Sequence, residues 1–132
     1  MTPEEHKVQK PIHDKAVHAV LSQLAEREAA FAMERYGYYH SPHEGLAIIE
    51  EEAAEAKAEY DDLDEACSDL RCYVRFSYAN AHANTCDTVE YLYGAALNLA
   101  REAIHVAATA QRFLQAMEAQ HAEFAHLEDK TK

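Results

Sequence analysis

The chain has no tryptophan and holds only three glycines, three prolines and three cysteines in 132 residues. Each shortage excludes something. Few glycines and prolines leave little material for the tight turns of a β-sandwich or barrel, while alanine and glutamate abound. Long helices are therefore expected and strands are not. Cys67, Cys72 and Cys86 are odd in number and form no CxxC pair, so neither a disulfide framework nor a cysteine zinc site is expected. Basic residues are scarce too, 12 Lys and Arg against 24 Asp and Glu, for a formal net charge of −12. A nucleic-acid polymer wants a basic face and is excluded as a partner. An anionic small molecule remains open if a metal ion bridges it to the protein. No apolar run reaches membrane length, and the opening MTPEEHKVQK is charged and unlike an export signal. The expectation is a cytoplasmic protein with reduced thiols and no membrane partner. The length suits one domain, residues 1–132, with 1–12 and 127–132 expected to be loosely ordered.

The stretch that is present in force is SPHEGLAIIEEEAAEAKAEY, Ser41 to Tyr60. Ser41 reads as a helix cap, Pro42 suits the first helical position, and Glu44 stands where a capping box places its acid. Leu46, Ile49, Ala53, Ala56 and Tyr60 form an apolar stripe at helical spacing. Beside it runs a second line, Ile48, Glu52, Glu55 and Glu59, so carboxylates border a core face. A solvated acidic face explains this at little cost, since exposed like-charge pairs cost only about 0.2–0.5 kcal/mol each. The other reading is a divalent-cation site, because hard cations gather carboxylate oxygens, and a second element must decide.

Around this stretch the pattern continues. A first helix is expected from about Asp14 to Tyr36, carrying Val17, Val20, Leu21, Leu24, Phe31 and Ala32, with Gly37 as its stop. Tyr36, Tyr38 and Tyr39 then form either a packing collar or a stacking surface for a nucleobase. Residues 61–80 keep helical periodicity, either prolonging the acidic helix or forming a separate one near Leu63–Tyr78. Residues 80–86 read as a loop. Asp87 with Glu90 suggests a new cap, and a last helix is expected from about Thr88 to His126.

That last helix is apolar almost all round from Ala95 to Leu114, which marks it as central to a bundle and suggests self-association. One line along it is polar: Asn98, Glu102, His105, Thr109 and Arg112. A buried polar group without a partner costs about 1–3 kcal/mol, so this line must meet partners or a ligand. Two solutions are open. Glu52, Glu55 and Glu59 face it across a cation, or His105 and Arg112 neutralise the glutamates in a closed hydrogen-bond network.

The quoted residues carry a resemblance. HEGLAIIEEEAAEAKAE, with Glu51-Glu52-x-x-Glu55, resembles the EExxE motif of the MazG-like all-α nucleoside triphosphate pyrophosphohydrolases. AREAIHVAATAQRFL resembles a second signature helix of the phage and bacterial branch of that superfamily. The two blocks cover about a quarter of the chain, in the expected order. The resemblance implies an all-α fold of four-helix-bundle type, assembled as a homodimer or homotetramer. It also implies magnesium-dependent hydrolysis of a nucleoside triphosphate to the monophosphate and pyrophosphate. Matched residue by residue, Glu52 and Glu55 are metal ligands and Glu102 opens the second pair.

Two departures stand out. His105 occupies the place of an aspartate, which suits manganese, iron or zinc better than magnesium. The segment between the acidic pairs is also longer than usual, consistent with an inserted helix. On this reading Glu52, Glu55, Glu102 and His105 hold Mg2+ or Mn2+, and Glu51 or Glu59 activates water. Arg112, Arg101 or Lys57 meets the phosphates, with Asn98, Tyr38 and Tyr39 as further substrate contacts. Two other functions fit the same residues. One is a non-catalytic helical assembly or binding module. The other is a di-iron-like carboxylate protein built on Glu102-x-x-His105, with Glu118–His121 and Glu123–His126 repeating the spacing.

Overall fold

The computed structural model describes the backbone of residues 2–76 and 81–131, and side chains through residue 123 apart from that of Ala81. The described residues form three helices and no strand: α1 (Pro3–Tyr36), α2 (Pro42–Arg75) and α3 (Ala81–Thr131). The all-α expectation holds at that level.

Helix α1 starts eleven residues earlier than its apolar pattern suggested, and the reason is local. Thr2 and Glu5 form a reciprocal capping box, with Glu5 N donating to Thr2 Oγ1 (3.2 Å) and Thr2 N to Glu5 Oε2 (2.8 Å). Pro3 takes the first helical position, where its missing N–H costs nothing. Pro11 lies inside the helix without ending it. The loose order expected for residues 1–12 is thus replaced by a helix. Gly37 closes α1 with φ of 72°, a conformation that favours glycine, and its N–H donates to the Met33 carbonyl.

Helix α2 opens as expected on Ser41, whose Oγ accepts from Glu44 N at 3.2 Å, with Pro42 behind it. Glu44 Oε2 reaches back to His40 N at 3.4 Å, one residue short of a reciprocal box. The helix then runs through Tyr60 without a break to Arg75. Residues 61–75 prolong the acidic helix, and the separate helix around Leu63 does not form. The end of that expected helix, Ser77–Tyr78, lies outside the described residues, as does Asn80 of the expected loop. Residues 81–86 are helical, so Asp87 stands inside α3 and caps nothing. Residues 127–131, expected to be loosely ordered, continue the same helix.

Helix α3 touches both of the others, and the backbones of α1 and α2 do not approach each other. The least exposed positions on α2 include Gly45, Ile49, Glu52, Ala56, Glu59, Leu63, Ala66, Leu70 and Tyr73, with Glu44 and Ile48 part-buried beside them. Those on α3 include Thr88, Leu92, Ala95, Leu99, Glu102, Val106, Thr109, Phe113, Ala116 and Gln120. Both series alternate steps of four and three, the repeat of two helices packed along a coiled-coil seam. The seam is rotated from the expected apolar stripe: Ile49 and Ala56 belong to it, but Leu46, Ala53 and Tyr60 face outward. Glu52, Glu59 and Glu102 therefore occupy seam positions.

Helix α1 contributes little to the interior. Its buried residues are Ala25 and Ala29, and every side chain from Thr2 to Leu21 is exposed. Small residues allow the two helix backbones to come close. The larger Val17, Val20, Leu21, Leu24 and Phe31, expected as a core stripe, remain exposed. The described residues of one chain make three helices, and the four-helix bundle stays an expectation of the resemblance.

Candidate metal centre

Glu52 from α2 meets Glu102 and His105 from α3. One possible ligand atom from each lies within 4.8 Å of the other two. Glu52 and Glu102 reach this spot because seam positions on neighbouring helices converge, and His105 follows Glu102 by one helical turn. The Glu102 side chain is 12% exposed and that of His105 34% exposed.

The contacts within the group are polar but incomplete. Glu102 Oε2 lies 3.4 Å from His105 Nδ1, and Arg101 Nε lies 3.6 Å from Glu102 Oε1. His105 Nε2 lies 3.8 Å from Glu28 Oε1, a residue of α1. Glu52 Oε2 and Glu102 Oε2 are both buried without an aligned hydrogen-bond donor. Buried oxygens in that state carry a desolvation cost. Glu52 accordingly has its carboxyl pushed above the ordinary glutamate range, first by burial, then by the Glu55 charge. Glu102 and Glu51 add to the effect, and His105 opposes it. Two orphaned carboxylate oxygens and an imidazole form a donor set that fits a divalent cation.

The remaining candidate residues are spread more widely. Glu55 and Glu51 are exposed and stand outside the converging trio, although both charges are felt at Glu52. Glu59 is half-buried two turns further along the same seam. Lys57 is exposed and pairs with Asp61 at 3.6 Å, within its own helix. Asn98 is exposed, so the polar line of α3 is buried only from Glu102 onward. Thr109 closes on its own helix, its hydroxyl donating to the His105 carbonyl at 2.8 Å.

Arg112 and Tyr39 have a different setting. Arg112 is 8% exposed, and its Nη2 donates to the Gly37 carbonyl at 3.1 Å. Its guanidinium lies 4.5 Å from the centre of the Tyr39 ring, which packs tilted against Phe113. These contacts fasten the α1–α2 turn to α3. Arg112 stands seven residues from His105, about 10 Å along the helix. Tyr39 is buried, whereas Tyr38 and Tyr36 are exposed. The Tyr39 hydroxyl and Arg112 Nε are buried without hydrogen-bond partners. Of the repeated Glu-x-x-His pairs, Glu118, His121 and Glu123 are exposed, and the His126 side chain lies outside the described residues.

Glu28 was not visible as a site residue from sequence. It sits beside the small residues Ala25, Ala29 and Ala32, and only their buried spacing points that helix face toward α3. No helix among the described residues is long and apolar enough to cross a membrane. Comparison with known proteins returned no matching family model, curated protein or solved structure.

Proposed function

We propose that this chain binds a divalent cation at Glu52, Glu102 and His105. We further propose that it uses the cation to hydrolyse a nucleoside triphosphate to the monophosphate and pyrophosphate, in the manner of MazG-like enzymes. The observation that carries the reading is the convergence of those three side chains from two helices, with carboxylate oxygens left unsatisfied in the seam. A cation there offsets the repulsion between buried carboxylates, and a bound ion supplies a bridge to phosphate oxygens and lowers the pKa of water. Glu55, exposed beside Glu52, is available to extend the ligand set, and Glu51 to accept a proton from attacking water.

The exposed apolar side chains of α1 support assembly as a homodimer or homotetramer. They also favour a second reading, a helical assembly module that keeps the acidic seam without turnover. Thermal unfolding separates the two. Magnesium or manganese together with a nucleoside triphosphate should raise the midpoint of the chelator-treated protein, since ligands of the native state stabilise by mass action. Release of pyrophosphate should accompany it, and Glu52→Gln should lose both effects. Unchanged midpoints with every cation and nucleotide would leave the assembly module as the reading.

A further inference from the structure

Resting on the metal-site reading above, we infer that His105 and Glu28 make this centre selective for a first-row transition cation of zinc-like character over magnesium. Glu28 is the positioning residue that orients the imidazole. His105 stands between two carboxylates on different helices: Nδ1 at 3.4 Å from Glu102 Oε2, and Nε2 at 3.8 Å from Glu28 Oε1. Glu28 is the carboxylate nearest Nε2, and a ring proton held on that nitrogen would leave the Nδ1 lone pair facing Glu102. A histidine ligand held this way by an outer carboxylate is a recurrent device of metal sites. The spacing is consistent, since two ligand atoms each about 2.1 Å from a common tetrahedral ion lie about 3.4 Å apart. Without a cation, that tautomer would set the nitrogen lone pair against a buried carboxylate oxygen that already lacks a donor.

The chemistry of the donors decides which ion. Magnesium demands six hard oxygens in near-octahedral array and keeps much of its water. Imidazole nitrogen with two carboxylates suits zinc, cobalt or manganese, in an order that favours zinc over manganese. Glu28 enters from α1, which neither other ligand-bearing helix includes, so the selectivity depends on α1 being docked on α3.

The test uses the full chain with zinc, cobalt or magnesium as the probe, in a Cys86→Ser background. That background removes the exposed His82–Cys86 pair, whose Nε2 and Sγ lie 3.8 Å apart. Titration calorimetry near neutral pH should show zinc binding at least about tenfold tighter than magnesium. Glu28→Gln should weaken zinc by about 10–100-fold and leave magnesium little changed. His105→Asp should reverse the order of the two ions. Cobalt should give an absorption spectrum of low coordination number without thiolate bands. Glu28 is half-exposed, so Glu28→Gln carries the test alone if His105→Asp fails to fold.

Magnesium binding as tightly as zinc, or zinc binding indifferent to Glu28→Gln, overturns the inference. If Glu52→Gln still abolishes binding in that case, the metal-site reading survives. Zinc uptake that persists in Glu52→Gln belongs to surface histidines and overturns both. So does nitrogen NMR showing His105 as an imidazolium ion pair at saturating zinc.

Discussion

At the scale of single residues, Glu52 is where energetics and proposed function meet. Its carboxyl is pushed above the ordinary glutamate value, so the folded chain binds that proton more readily than the unfolded chain does. The metal-free fold is therefore favoured most below the ordinary value. It loses that advantage as pH rises from there through the raised one. Glu52→Gln should raise the unfolding midpoint of chelator-treated protein near pH 7, with the difference vanishing near pH 4. A saturating divalent cation should reverse the ranking, because only the carboxylate gains from it. A variant that is less stable than the parent at neutral pH in chelator would show that Glu52 already has a donor in the seam. Arg112 makes the contrasting case. The same polar line that supplies Glu102 and His105 ends in a guanidinium spent on the Gly37 carbonyl and the Tyr39 ring, so neighbours along one helix line serve different ends.

At the scale of helices, the seam between α2 and α3 is the main packed surface, and Gly45 packs closely against Phe113 in it. A side chain at Gly45 would run into the Phe113 ring. Gly45→Ala should then cost about 1–3 kcal/mol from overpacking, less the roughly 1 kcal/mol that alanine gains in helix propensity. Urea unfolding should show this cost largely disappear in a Phe113→Ala background, a coupling that neighbours in contact display and distant sites do not. Equal costs in both backgrounds would mean that the layer relaxes without the ring. The expected register along α2 was close but rotated, because Leu46, Ala53 and Tyr60 follow a helical period as well as the seam does. Only α3, with Leu99, Val106 and Phe113 facing it, determines which stripe is covered.

For the whole molecule, the exposed apolar surface is the dominant fact. Val20 and Leu24 lie one turn apart on α1, each at least 40% exposed, next to exposed Val17 and Leu21. The proposed self-association would cover these side chains, since a second copy of the chain buries the same patch symmetrically. Light scattering at micromolar concentration should give a mass above the 14.9 kDa of one chain. Val20→Glu with Leu24→Glu should lower the mass to one chain while leaving helicity intact, since Val20 is 56% and Leu24 40% exposed in the single chain. A monomeric parent at all concentrations would instead leave this face for a different partner.

What the sequence determined by itself was the helical class, the cap at Ser41 and the stop at Gly37. Those follow from periodicity and from small sets of residues with one local use. It offered Glu52, Glu55 and Glu59 as candidates to face Glu102 and His105, and the packing of α2 on α3 selected Glu52. The capping box of Thr2 and Glu5 is spelled by a Thr-x-x-Glu in the sequence, yet the polar residues 1–12 around it were expected to be loosely ordered. Three further things came only from the tertiary arrangement. The run from Pro42 to Arg75 is one helix because residues 61–75 continue the same seam, and no cap interrupts it. The large apolar residues of α1 stay outside because its alanines permit the closer approach to α3. Glu28 joins His105 because that approach brings a third helix to the site, and no spacing along the chain encodes a contact across helices separated by so many residues.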